Sequence, residues 1–184
     1  MSDAGRSAAE IVRPLIRVRQ VREFTAEPVT AEEIGAIADA GRWSGSSMNT
    51  QPWRLIVIRD PAALRGLADA SPQARALRSA TAAVAIVTPD EPGQSVRQAY
   101  DEARVAERML IAAALLGLAG GISWIATEGR PAVAALLGVP EGRFVRSVIA
   151  VGHPTEAALA PKSEPGKARL PRSEVVFEER WPKD

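Results

Sequence analysis

The sequence predicts a single domain of mixed helix and strand content, in which a sheet of short strands is interleaved with helices. Two observations carry this expectation. Four short apolar runs, "RLIVIRD", "AAVAIVT", "ISWIAT" and "RSVIAVG", have the length and β-branched content of buried strands. Between them lie segments with helical spacing and helix end signals. The 184 residues and 46% hydrophobic composition suffice for a substantial core within one domain.

In chain order, Ala8 to Val21 places Ile11, Leu15, Ile16 and Val18 near helical spacing, and Pro14 is expected to kink the segment or mark an early turn. "TAEEIGAIADAGRW" opens with Thr30 as N-cap and Glu33 three residues on, a capping box, followed by Ile34, Ile37 and Ala38 on one face. The polar loop "SGSSMNTQPW" follows, then the first strand. Pro61 suits the first turn of a helix over 62–70, and "AAVAIVT" is the second strand. The long helix expected over Ser95 to Leu118 turns apolar all round from Met109, as if its second half entered the core. "ISWIAT", a short helix "RPAVAALLG" stopped by Gly138, and "RSVIAVG" complete the sheet. After His153 the chain becomes rich in Pro, Ala and charge, so 154–184 reads as an arm. Its end, "SEVVFEERW", reads as a strand in need of an edge, suited to reaching a partner chain.

Charge and composition exclude several classes of function. The 23 basic and 22 acidic side chains nearly cancel, so nothing global points to nucleic acid or an anionic membrane. No cysteine and one histidine leave no disulfide framework and no Cys/His metal cluster. The N-terminal segment lacks the apolar stretch of a signal peptide, and "MLIAAALLGLAGGI" falls short of the roughly 20 residues a membrane span needs, so a cytoplasmic protein is expected.

Nucleophilic catalysis fits poorly, because Ser46 and Ser47 need a base and His153 lies in the turn sequence "VGHP". The adjacent acids Glu32 and Glu33, and Asp101 and Glu102, point apart on a helix and read as solvated faces. "RPLIRVRQVREF" gathers Arg13, Arg17, Arg19 and Arg22, close enough to hold a phosphate, and "GKARLPR" adds Lys167, Arg169 and Arg172. Taken singly, each cluster reads as a solvated basic face.

The order of these segments changes that reading. "IRVRQVREFTAEPVTAEEIGAIADAGRWSGSSMNTQPWRLIVIRD" resembles the opening of the nitroreductase family of FMN-dependent oxidoreductases, with its R-R-S-x-R-x-F segment, capped helix, P-S-x-x-N-x-Q-P-W loop and strand. "DEARVAERMLIAAALLGLAGGISWI", "RSVIAVGHP" and "KARLPRSEVVFEERW" resemble that family's core helix, strand end and basic tail.

The resemblance implies an α+β fold with a mixed, mainly antiparallel sheet flanked by helices, in an intertwined homodimer whose C-terminal arms pack on the partner. It implies FMN as cofactor, NAD(P)H as reductant and a small electron acceptor such as a nitroaromatic or quinone. Hydride passes through flavin N5 in ping-pong order, with no catalytic side chain, no metal, no nucleic acid and no membrane involved. Carried over by position, Arg19 and Gln20, with Arg17, approach the flavin, and Lys167 and Arg169 bind its phosphate. Ser46, Ser47 and Asn49 come from the other subunit, and Gly120 and Gly121 let backbone approach N5. The chain departs from the pattern at Val18, Gln20, Gly45 and Arg108, which stand for an arginine, a serine, a proline and an asparagine. A flavin-binding protein with little turnover, for storage, sensing or specialised flavin chemistry, is the competing reading. RNA binding by the basic N-terminal helix is disfavoured, since interleaved aromatic platforms are missing.

Overall fold

The structure is a computed structural model that describes residues 5–164 and 167–182. Its sheet contains β1 (Arg54–Ile58), β2 (Ala82–Pro89), β3 (Ala119–Trp124) and β4 (Arg143–Gly152) in the order β1-β2-β4-β3. All three pairings are antiparallel, in keeping with the mainly antiparallel sheet expected. The helices are α1 (Ala8–Arg17), α2 (Ala31–Arg42), α3 (Pro61–Ala70), α4 (Ser95–Leu115), α5 (Arg130–Leu137), and the short α6 (Glu156–Leu159) and α7 (Arg172–Val175).

Strand β2 explains the continuous apolar run, because helices cover both faces of the sheet. Its Ala83, Ala85 and Val87 pack with Leu64, Leu67, Leu77 and Val133 on the side of α3 and α5. Its Val84 and Ile86 pack with Ile34, Ile37, Val105 and Met109 on the side of α2 and α4. Every residue from Ala82 to Thr88 is consequently buried. One irregularity matters later. Ile86 faces Ser147 and Val87 faces Val145, so Arg146 is skipped in the register as a bulge residue.

The capping box of α2 forms as expected: Glu33 N–H donates to Thr30 Oγ1 at 3.2 Å, and Thr30 N–H donates to Glu33 Oε2 at 2.8 Å. The bond from the Thr30 backbone holds the Glu33 carboxyl below the ordinary carboxylate range. Ser7 and Glu10 make the same box on α1. Within α1, Pro14 has no N–H for the Glu10 carbonyl, and Arg6 Nη2 donates to that carbonyl at 3.0 Å instead. The helix survives its proline.

Two expectations change. The long helix stops at Leu115, because Gly117 turns the chain with φ of 76° and β3 already begins at Ala119. Its apolar end is not wholly internal either, since Leu115 is exposed. The segment read as a terminal strand is a single helical turn, α7, followed by irregular chain, and no strand lies beyond β4 among the described residues. A strand needs an edge to pair with, and among the described residues the arm's ladder contact within its own chain is the single bridge of Pro154 with Phe24 at its start.

Candidate functional site

The loop from Ser44 to Trp53 is framed by α4. Ser47 N–H donates to both oxygens of Asp101 at 3.2 and 3.3 Å. Arg108 Nη1 donates to the Trp43 carbonyl at 2.7 Å, and Ser44 Oγ donates to the Arg104 carbonyl at 3.4 Å. Across the loop, Gln51 N–H donates to Ser46 Oγ at 2.8 Å and Asn49 N–H to the Ser46 carbonyl at 3.0 Å. Met48, Asn49 and Gln51 lie in the left-handed region with φ of 50°, 54° and 45°. Asn tolerates that region; Met48 and Gln51 each cost about 1–2 kcal/mol there. The loop is therefore a strained shape held by outside bonds.

Those bonds correct one reading of the sequence. Asp101 and Glu102 do diverge, as adjacent helical residues must, but both are buried. Asp101 faces the loop, and Glu102 faces the sheet. Glu102 lies 3.8 Å from Arg146 Nε, yet neither of its oxygens has a hydrogen-bond partner. Burial pushes its carboxyl above the ordinary range, against the opposing pull of Ser147, Arg146 and Arg130. The bulge at Arg146 is what brings that guanidinium to Glu102, and it also stacks over Phe144 at 5.2 Å and Trp124 at 5.9 Å.

A second region gathers the cations. A groove of about 490 Å³ between the end of α1 and the arm is lined by Arg17, Arg19, Lys162 and Arg169, together with Gln20 and Ser163. Among the described residues no carboxylate lines it. Of the residues named from sequence, the groove brings together Arg17, Arg19, Gln20 and Arg169. Ser46, Ser47, Asn49, Gly120, Gly121 and Lys167 do not line it. Lys167 instead pairs with Glu164 at 2.5 Å, and Lys162 occupies the wall. Arg19 also has a structural role. Its guanidinium donates to the carbonyls of Ala158, Leu159 and Ala160, closing the C-terminal end of α6. Lys162 could not be singled out from sequence, because the fold of the arm decides which lysine turns inward.

Gly120 and Gly121 lie inside β3, buried and paired with Val151 and Ala150. A Cβ on Gly121 would run into the Val21 carbonyl, and one on Gly120 would meet Leu110 Cδ2 at 2.8 Å. The chain itself fills the space these glycines leave. Beside them, Val21 N–H donates to the Gly120 carbonyl at 2.8 Å, and Ile122 N–H donates to Gln20 Oε1 at 3.2 Å. The outer edge of β3 is thus closed by the segment that follows α1.

The donor set of the groove fits an FMN phosphate: several guanidinium and ammonium groups, a carboxamide, and no competing acid for a group carrying about two negative charges. Among the described residues no cluster of His, Asp or Glu could hold a metal ion, and no helix is long and apolar enough to cross a membrane.

Comparison with known proteins points the same way. A Vibrio harveyi NADPH-flavin oxidoreductase is 27% identical over 183 residues, 92% of this chain and 74% of that protein. A solved structure of the Vibrio harveyi NADPH:FMN oxidoreductase complexed with NAD+ is similar with a TM-score of 0.76 and 25% identity, covering 94% of this chain and 78% of that one. The crystal structure of nitroreductase A from Vibrio parahaemolyticus matches in fold, with a TM-score of 0.77 and 23% identity over 96% of this chain and 78% of that one. The model of the nitroreductase family matches residues 17–153, which run from the cationic groove through the framed loop to the end of β4, and the chain belongs to that family.

Proposed function

We propose that the protein passes reducing equivalents from NAD(P)H through FMN to a small acceptor such as a nitroaromatic or quinone, in ping-pong order, as an intertwined homodimer. The coarser part follows from family membership: it is an NAD(P)H-dependent FMN oxidoreductase. FMN, when bound, supplies the centre that accepts and returns hydride. The chain's own residues supply binding and orientation. Arg17, Lys162 and Arg169 hold the phosphate, while Gln20 fixes the approach of the segment after α1 to β3. The carboxylate-free cationic groove is the observation that carries this reading.

The dimer is supported by what one chain leaves uncovered. Helix α1 has no buried residue, and its Ile11, Leu15 and Ile16 face out. Val96 and Tyr100 on α4 and Leu170 and Trp181 in the arm are exposed as well. So much apolar surface marks an interface. In the proposed arrangement 1–184 is one domain, 154–184 embraces the partner, and Ser46, Ser47 and Asn49 reach the partner's flavin.

A role in flavin binding with little turnover has one observation in its favour. The Arg19 guanidinium lines the groove but already spends donors on the carbonyls of α6, which leaves fewer of them for a flavin. Titrating FMN into flavin-free protein and then adding NADPH or NADH anaerobically separates the readings. Binding followed by bleaching and reoxidation by a quinone is expected; binding without bleaching overturns the reductase. Joint substitution Lys162→Ala and Arg169→Ala is expected to weaken FMN about 100-fold, at roughly 1.5 kcal/mol per charged hydrogen bond, with Lys167→Ala near neutral. Full affinity in Lys162→Ala alone, with loss in Lys167→Ala and in Arg169→Ala, in flavin fluorescence titrations, restores the assignment made from sequence.

A further inference from the structure

We infer that Asp101 is a positioning residue for FMN, acting through the Ser46–Asn49 loop, and that Gly45 is a glycine in order to admit Arg104 beside it. The inference rests on the reading that this loop touches the flavin.

Positions 101, 104 and 108 are spaced by three and four residues, so they share one face of α4. Each makes its own contact with the loop's entry. Asp101 accepts from Ser47 N–H, the Arg104 carbonyl accepts from Ser44 Oγ, and Arg108 donates to the Trp43 carbonyl. Arg104 Nη1 also lies 3.9 Å from Asp101 Oδ1 and partly neutralises it. The Asp101 side chain is only 6% exposed, against 54% for Arg104. A buried carboxylate committed to one backbone N–H is a costly way to hold an ordinary turn. Here the held segment is the one whose backbone lies in the left-handed region at Met48, Asn49 and Gln51. Release of Ser47 lets that shape relax, and with it the directions of Ser46, Ser47 and Asn49.

Gly45 belongs to the same device. A Cβ there would overlap Arg104 Nη2 and lie 3.2 Å from Cζ, so a larger residue makes this half-exposed guanidinium move from its place 3.9 Å from Asp101. The two departures from the family pattern nearest this loop, Gly45 and Arg108, are thereby accounted for together. Both serve the docking of the loop on α4.

The test is FMN affinity, read by flavin fluorescence on flavin-free protein, with the thermal midpoint followed in parallel. Asp101→Ala is expected to weaken FMN about tenfold, one charged hydrogen bond's worth. Asp101→Asn keeps an acceptor for Ser47 N–H, and affinity should return to within about threefold of the parent. Gly45→Ala should weaken binding several-fold in the parent and do nothing further in the Arg104→Ala background, because the atom it strikes is gone. If Asp101→Ala fails to fold, that cycle decides: additive losses overturn the inference. Unchanged affinity in a folded Asp101→Ala, while Ser46→Ala with Asn49→Ala weakens FMN, overturns the positioning role and leaves the loop in the site. Unchanged affinity in the Ser46/Asn49 variant removes the loop from the site, and the inference falls with it.

Discussion

The polar loop and the C-terminal arm are both assigned to the flavin, yet they are built in opposite ways. The loop's bonds run to α4 across 54 to 65 residues of sequence, and those made by Ser44 and Ser47 are partly buried while the Arg108–Trp43 bond is exposed. The arm's ion pairs are local, Lys167 with Glu164 and Arg172 with Glu178, and both pairs are exposed. Exposed pairs of this kind contribute little. The loop is tied to the core within one chain, whereas in the arm the long-range bonds from Arg19 reach only Ala158 to Ala160 and the later ion pairs are local.

Cutting the chain after Leu159 should break this contrast most severely. Dimerisation and FMN binding are expected to be lost, the latter by about 100-fold or more on the phosphate bonds alone, while far-UV dichroism retains the helices that pack on the sheet. Sedimentation and fluorescence titration check it. A truncated chain that still dimerises with full FMN affinity would show that the arm is an ornament.

Glu102→Gln sharpens the other side, because Glu102 sits on the same helix that frames the loop. Its folded carboxyl is raised, so the folded protein holds that proton more tightly than the unfolded chain does. The associated cost is absent below the ordinary value of 4.5 and present in full above the raised one. Relative to the parent, the variant should therefore gain stability as the pH rises from the ordinary carboxylate range toward 7, set against a pH-independent loss of the charge that faces Arg146 at 3.8 Å. Thermal midpoints from the ordinary carboxylate range up to neutral pH measure it, and limited proteolysis of the arm should not change. A gain that persists at low pH would point to packing instead of charge.

The smallest effect belongs to Met48, which is exposed and left-handed. Met48→Gly should stabilise the protein by about 1 kcal/mol by removing the Cβ penalty, less the extra chain entropy of glycine. Destabilisation in a thermal melt would mean that the Met48 side chain meets a surface one chain does not contain.

Much of this was legible in the residues. Thr30 with Glu33 announced α2, Gly138 stopped α5 with φ of 64°, and the apolar run in "AAVAIVT" matched a strand buried on both faces. What stayed hidden depended on long-range packing. "AGG" has poor strand propensity, so the start of β3 was invisible until Val21 and Leu110 were seen filling the glycines' side-chain space. Asp101 and Glu102 looked like solvent-facing acids because nothing local says that a loop and a bulged strand will close over them. Lys162 and Lys167 are alike in sequence, and only the path of the arm tells them apart.

The closed edge of β3 also fixes how the sheet can grow. Gln20 and Val21 occupy its outward groups, whereas β1 on the far side carries no such cover among the described residues. A sheet with one blocked and one open side has a valency of one. In the proposed dimer, a segment lent by each copy to the other's open side would satisfy both and leave nothing to extend, so association of that kind would end at a pair and not run on into a fibre.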